Sequence, residues 1–484
     1  MPRAARVALA ALAAGSLLAC RARVMKPREL SVGFPLVLLR QDRSLLDPGD
    51  LDSVYAYYLL ENLALGLVRD DSRSPSGYAG GLAESWERLS PSRWAFYLRP
   101  DLKWSDGTSI RPADVAAALL DLSRGRRRHI LYLQRLSSAR AEGRKIVLDF
   151  RGPVNEGLVH ELSLADAALV HPRAAKDGWR VVSGAYYVGS YVPGKELLLK
   201  RNPNFALGGN GPESVKLLPF TMETISDFFS KKPVDLLKVP LPAFRAANQT
   251  VIARAPQVVK GYPTWLYYLY FDPRRKPWNS AAERRSVAAG VDKALAGVSF
   301  GGLTRERQFI PEGFSGRLPS PPPIPKIATA PSRRKTLRIA VIPSFAEATP
   351  VLDAVKTGLA RQGISVEYVF SWRSPEAERA DAGLTLFAGN QKDPLGSWEF
   401  MYSVGGDLAP FRGEVAPTLD RVVRAAGRSR RDQALRALHL ATLSRAYAVP
   451  LFIEPDIIAA SGRVDLADVN RFDMRLRFYE VRWK

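Results

Sequence analysis

The sequence predicts an α/β protein in which mixed sheets are flanked by helices. Short runs rich in aliphatic, β-branched and aromatic residues alternate with longer stretches of helical spacing along most of the chain. The chain has 484 residues, enough for two or three compact domains. Its composition, 46% apolar and 24% charged, supports a large core and argues against disorder.

The first residues differ from the rest. Arg3 and Arg6 precede an uncharged run from Val7 to Leu18. That run is about 12 residues long, whereas a spanning helix needs roughly 20. It fits the apolar core of a secretory signal. The signal ends in Leu17-Leu18-Ala19-Cys20, and Cys20 is the chain's only cysteine. A lone cysteine cannot form an internal disulfide. The segment resembles a lipobox, in which the chain is cut before the cysteine and its thiol is lipidated. Expected boundaries are a signal at 1–19 and a lipid-anchored tether at 20–25.

The elements follow in order. Leu30 to Leu39 reads as a buried strand, and Tyr55 to Val68 as a helix. Trp94, Phe96 and Leu98 alternate as in a half-buried strand. Asp106-Gly107 marks a turn, Pro112 opens a helix, and Gly125 lies past its end. Tyr186 to Arg201 reads as a hairpin turning at Pro193-Gly194. Thr264 to Phe271 is an aromatic strand and Ala281 to Leu295 a helix. Gly316 to Lys335 is a proline-rich connector, which cannot be regular helix or central strand. Beyond it come strands at Leu337 to Ile342, Ile364 to Phe370, Leu384 to Phe387 and Val449 to Ile453. Helices are expected at Val351 to Gln362 and Arg431 to Ala446.

The formal charge is +22, and removing Arg3 and Arg6 leaves +20. The basic residues are scattered. Their densest runs, Arg124 to Arg128 and Arg333 to Lys335, carry no interleaved aromatics or nucleic-acid motif. We read the charge as an Arg-rich, Ala-rich genome together with proximity to acidic lipid headgroups, with no nucleic-acid partner. The four histidines, His129, His160, His171 and His439, show no metal-ligand spacing, and no cofactor or metal is expected. Gly297-Val298-Ser299-Phe300-Gly301 has the Gly-x-Ser-x-Gly spacing but follows a helical stretch and not a strand, so it does not read as a nucleophile elbow, and there is no Walker loop. Carboxylates are plentiful, so a hydrolase stays open on composition. The profile favours binding over catalysis.

The stretch Leu82 to Leu119 contains Leu82-Ala83-Glu84-Ser85-Trp86, then Phe96 to Arg99, then Trp104-Ser105-Asp106-Gly107-Thr108, then Asp114-Val115. In that order these closely resemble the signature region of family 5 extracellular solute-binding proteins. Leu46-Asp47-Pro48, Gly184-Ala185-Tyr186, Lys200-Arg201-Asn202-Pro203, Phe271 to Lys293, Ile310-Pro311, Gly358 to Phe370, Asp393-Pro394 and Pro417 to Asp420 extend the resemblance over nearly the whole mature chain. It implies a two-lobed, periplasmic-binding-protein type II (Venus flytrap) fold with an extra companion domain. Lobe one would take 26–58, 181–262 and 452–484; the companion domain 59–180; the opposite lobe 263–451. Hinges would lie near Gly261 to Trp265 and Leu451 to Pro455.

The resemblance further implies a monomeric substrate-capturing subunit of an ABC importer, working with permease and ATPase subunits. It would be periplasmic, lipid-anchored to the cell membrane or outer membrane, and not an enzyme. A sensor or surface adaptor with the same fold is the alternative. Peptide-binding members place a carboxylate where this chain has Asn390, and Lys392 follows nearby. Asn cannot compensate a ligand ammonium. The segment Ile339 to Glu347 lacks the arginine that receives a dipeptide's carboxylate, and Asp272 stands where Asn is usual. The solute is therefore expected to be a small molecule or peptide-like compound held without the usual end-charge clamps. Candidate contacts are Trp265, Tyr267 and Asp272 beside the hinge strand, and Asn390, Trp398 and Tyr402 after the cleft-facing loop. Asp393 is expected to cap its own loop.

Overall fold

The computed structural model describes residues 29–35, 54–71, 73–74, 76–125, 130–221, 223–239, 246–323, 335–371, 374–388, 393–403, 406–467, 469 and 475–484. The signal, Cys20, the tether, Leu46-Asp47-Pro48, His129 and Asn390 lie outside the described residues, as does 324–334 of the connector.

The chain opens with β1 (Glu29–Pro35) and α1 (Val54–Leu63), then the short pair β2 (Val68–Asp70) and β3 (Tyr78–Gly80). A four-stranded antiparallel sheet follows, built from β4 (Ala83–Ser90), β5 (Arg93–Leu98), β6 (Leu136–Glu142) and β7 (Lys145–Phe150) in the order β4-β5-β7-β6. Strand β5 buries Trp94, Phe96 and Leu98, as their alternation predicts. Each such ring or branched chain contributes roughly 1.5–3 kcal/mol on leaving water. Helix α2 (Pro112–Arg124) covers this sheet with Val115, Ala116 and Leu119. Pro112 sits in its first turn, and the Asp114 carboxylate accepts the Arg111 backbone N–H at 3.2 Å. The Gly125 N–H closes the helix on the Asp121 and Leu122 carbonyls, each at 3.1 Å. Helix α3 (Gly157–Glu161) comes next, entirely buried.

The large sheet begins with the hairpin β8 (Tyr186–Val192) and β9 (Glu196–Arg201). Its turn holds Gly194 at φ +71°, a conformation glycine adopts without strain. Then come β10 (Ser214–Phe220), β11 (Leu236–Val239), α4 (Ala246–Arg254), β12 (Gln257–Phe271), α5 (Ala281–Leu295), β13 (Thr304–Arg305) and β14 (Lys335–Val341). The remainder is α6 (Thr349–Ala360), β15 (Ile364–Phe370), the helical turn α7 (Pro375–Glu378), β16 (Ala382–Ala388), α8 (Pro394–Tyr402), α9 (Arg412–Arg424), α10 (Arg428–Ser444) and β17 (Ala448–Ala460). The strand order is β15-β14-β16-β12-β17-β11-β1-β10-β9-β8, with β13 added against β17. Strand β1 runs parallel to β10 and β11, and β14 parallel to β15 and β16.

Two strands carry the sheet from one end to the other. Gln257–Lys260 of β12 pair with Ile457–Ala460 of β17, and Trp265–Tyr270 pair with residues 448–454. Between them the register shifts twice, at Lys260/Pro263 and Pro263/Trp265. Pro263 and its partner Pro455 have no N–H to give the ladder, so the regular register is interrupted on either side of them. The period-two alternation of β12 splits its side chains between two cores. Leu266 and Tyr268 join the core shared by α1, the four-stranded sheet and α8–α10. Tyr267, Leu269 and Phe271 join the core of α5, α6 and β14–β16.

Both long strands outrun their expected limits, 264–271 and 449–453. Helices α8 and α9 occupy stretches where no helix is expected.

Candidate functional site

Trp265 and Tyr267 are two residues apart and share one face of β12. Both reach diagonally to β17. Trp265 Nε1 donates to Asp456 Oδ1 at 2.5 Å, and the Tyr267 hydroxyl donates to Glu454. Asp456 Oδ2 also accepts from Lys238 Nζ of β11 at 3.0 Å, and Lys238 reaches the Tyr58 hydroxyl on α1. Lys238, Asp456 and Glu454 are 1%, 2% and 2% exposed. Burial pushes the Asp456 carboxyl upward, while Lys238 and the Trp265 N–H hold it back. A buried ion pair thus sits beside the register break, joined to both long strands and to α1.

A second polar cluster lies where α3 meets α8. His160 Nδ1 shares a 3.1 Å hydrogen bond with the Tyr78 hydroxyl, and its Nε2 is buried without a partner. Burial lowers the imidazole to about 4, against the opposing pull of Asp393. Asp393, read from the sequence as capping its own loop, caps the first turn of α8. Its Oδ1 accepts the Leu395 N–H at 3.0 Å, and its Oδ2 accepts from Arg431. Burial raises this carboxyl, but Arg431 and His160 outweigh burial and hold it below the usual range. Glu161 accepts the backbone N–H groups of Tyr132 at 2.8 Å and Leu133 at 2.7 Å. Burial pushes Glu161 and Glu399 of α8 upward, and for Glu399 the nearby Glu161 charge adds to the rise.

The candidates expected from the sequence divide. Trp265 and Tyr267 come together with Glu454 and Asp456, and of the two rings only Trp265, at 8%, keeps measurable exposure. Asp272 closes the far end of β12, where it pairs with Arg274 at 2.8 Å. Seven residues of strand, roughly 23 Å, separate it from Trp265. The structure does not place Trp398 and Tyr402 on a surface open to solute. They are 1% and 0% exposed. Trp398 packs on Phe309 and His439 at 5.4 and 5.6 Å, and the Tyr402 hydroxyl bonds Thr442 at 2.7 Å. Lys238, Glu454, Asp456, His160, Glu161 and Glu399 have no counterpart among the expected residues. The one local signal is Glu454 and Asp456 inside an apolar strand, Ala448–Ala460. Among the described residues, no group of three or more His, Cys, Asp or Glu is placed to hold a metal, and no helix is long and apolar enough to cross a membrane.

A long sheet crossed by two interrupted strands, with a companion sheet beside it, defines a type II solute-binding fold. Residues 77–406 match the model of bacterial extracellular solute-binding proteins, family 5 middle region, and the chain belongs to that family. It is 25% identical over 326 residues to the periplasmic oligopeptide-binding protein OppA of Escherichia coli, covering 59% of this chain and 58% of that one. The chain thus spans less than two thirds of that relative's length. OppA of Haemophilus influenzae, solved with the peptide RPPGFSPFR, superposes with a TM-score of 0.76 at 15% identity, over 95% of this chain and 99% of the other. NikA of Staphylococcus aureus, solved with Ni(L-His)2, gives 0.76 at 13% identity, over 94% and 100%. The murein tripeptide binding protein MppA of Escherichia coli gives 0.74 at 14% identity, over 95% and 99%.

Proposed function

We propose that this chain is the substrate-capturing subunit of an ABC importer, exported by its N-terminal signal and held at the membrane by lipid on Cys20. In this reading lobe one comprises 26–58, 181–262 and 452–484, the companion domain 59–180, and the opposite lobe 263–451. The lobes close by bending near Gly261 to Trp265 and Leu451 to Pro455, and solute selects the closed arrangement. The observation that carries the reading is the double register shift between Lys260 and Trp265, in one of the two strands that join the ends of the sheet.

The solute is a small molecule or peptide-like compound without clamped free termini. Asn390, where peptide-binding members carry a carboxylate, supports this. The relatives' own cargo spans peptides and a nickel–histidine complex, so the fold by itself selects no solute class. Trp265, flanked by Asp456, is the contact we assign with most support. Trp398 and Tyr402 act from behind, packing α8. Native mass spectrometry of the purified mature protein tests the reading. A co-purified small molecule supports it, and a short peptide with free termini would refute the assignment of Asn390.

A sensor or adaptor role is the second reading, favoured by the same neutral Asn390. Deleting the gene separates the two. Loss of uptake of the bound solute supports the importer; intact uptake with loss of a cellular response supports the sensor.

A further inference from the structure

A cavity of about 550 Å³ opens between α5, the loop after β13, the Pro321–Pro323 turn and the start of β17. Its lining carries Arg285, Arg305 and Arg307 against a single acid, Asp292. That acid is already fully engaged. Its Oδ1 accepts from Arg305 Nη2 at 2.7 Å and Arg307 Nε at 2.8 Å, and its Oδ2 from Arg307 Nη2. Arg305 is fixed by the Pro450 and Leu451 carbonyls, at 3.0 and 2.5 Å, and its Nε is buried without a partner. Arg285 is half-buried, and among the described residues nothing pairs with it. Just behind it, Arg284 is 3% exposed and donates only to backbone carbonyls, those of Trp278, Asn279, Arg445 and Ala446. Partly enclosed cations in excess of their acids are unfavourable until an anion joins them. Much of the remaining lining is apolar, including Pro321–Pro323, Val449 and Pro450.

A second cavity, about 430 Å³, offers no such excess of buried arginine. Its buried arginines are matched: Arg475 pairs with Glu61 and Asp70, and Arg477 with Asp70.

We propose that the Arg285 cavity is a second ligand site, taking a small amphipathic oxyanion. A carboxylate or phosphate group meets Arg285, Arg305 and Arg307, and an apolar body lies on the proline turn and Val449. The volume falls within the range of small-molecule sites. The cavity does not include the Trp265–Asp456 contact: Arg305 of its lining pairs opposite Phe452, four residues of strand, roughly 13 Å, before Asp456.

Calorimetric titration of the full mature protein with octanoate, hexyl phosphate, acetate and inorganic phosphate tests this. Saturable binding of octanoate or hexyl phosphate, at least tenfold tighter than acetate or inorganic phosphate, is expected. Whichever long-chain probe binds tighter identifies the headgroup. Arg285→Gln, which leaves every Asp292 pair intact, should weaken that binding at least tenfold. Ala288→Phe, which fills the cavity without changing charge, should do the same. Binding of none of the probes, equal binding of long and short anions, or unchanged affinity in both variants would overturn the site.

Discussion

The side-chain amide of Asn155 donates to the Val422 carbonyl at 2.8 Å, across 267 residues of sequence. The same nitrogen reaches the Ala425 carbonyl at 3.1 Å, so Asn155 satisfies carbonyls at the C-terminal end of α9 that the helix itself leaves over. Its oxygen accepts from the Tyr132 hydroxyl at 2.8 Å and the Gly157 N–H at 3.0 Å. The module built on the four-stranded sheet is thereby fastened to α9. Asn155→Ala leaves buried donors and acceptors on both sides unmatched. A loss of about 2 kcal/mol or more is expected, read as a lower midpoint in denaturant. Solution scattering should show a larger radius of gyration than the parent. An unchanged radius would mean that the contact fastens nothing.

The Glu161–Glu399 cluster makes stability depend on pH in two opposed ways. Carboxyls raised by burial keep their protons in the folded state where the unfolded chain has released them. Their contribution is complete below about pH 4.3 and is lost as pH rises through their raised folded values. His160 works in the other sense. It stays neutral down to about 4, whereas the unfolded imidazole takes its proton below about 6.5, so stability is lost as pH falls through that window. Glu399→Gln removes the Glu399 share of the first effect and leaves the second in place. Its thermal midpoint should exceed the parent's at pH 8 by about 2 °C or more and match it near pH 4. A variant that melts lower at pH 8 would show that the Glu399 charge is needed.

Some of this architecture is legible in the chain and some is not, for identifiable reasons. Pro112, Gly125 and the Pro193-Gly194 turn are local signals, and α2 and the β8–β9 hairpin appear where those residues place them. Helix α8 is hidden because it is apolar on most sides. Pro394, Leu395, Trp398, Met401 and Tyr402 are all buried, so it has no polar face to reveal a period. Helix α9 carries Pro417 internally, which argues against a helix when read locally. Strand β17 looks finished at Ile453 because Glu454, Pro455 and Asp456 follow. Glu454 and Asp456 are tolerated inside the sheet because Tyr267, Trp265 and Lys238 meet them. Lys238 pairs with Asp456 across 218 positions, a distance no local pattern reports.

The proposed lipid anchor makes a direct prediction. If Cys20 carries the acyl chains, Cys20→Ser should move the protein from the membrane pellet to the soluble extract of a fractionated cell. A single chain binds a bilayer only marginally, whereas several anchor stably, so the shift should be nearly complete. Membrane retention of the variant would leave the basic surface, not lipid, as the tether.

The Trp265–Asp456–Lys238 contact makes the last prediction, because it joins the proposed solute contact to a buried ion pair. Asp456→Ala takes from the buried Lys238 its 3.0 Å ion pair, and a loss of about 3–5 kcal/mol is expected on unfolding. The double variant Lys238→Met with Asp456→Leu removes both charges together and should recover most of that loss. Trp265 separates the two roles. Trp265→Phe keeps a ring but loses the N–H that meets Asp456, whereas Trp265→Ala loses both. If the ring is the solute contact, Trp265→Ala should weaken binding of the co-purified molecule about tenfold or more, and Trp265→Phe far less. Equal losses in the two variants would assign Trp265 to holding Asp456 and would remove it from the binding surface.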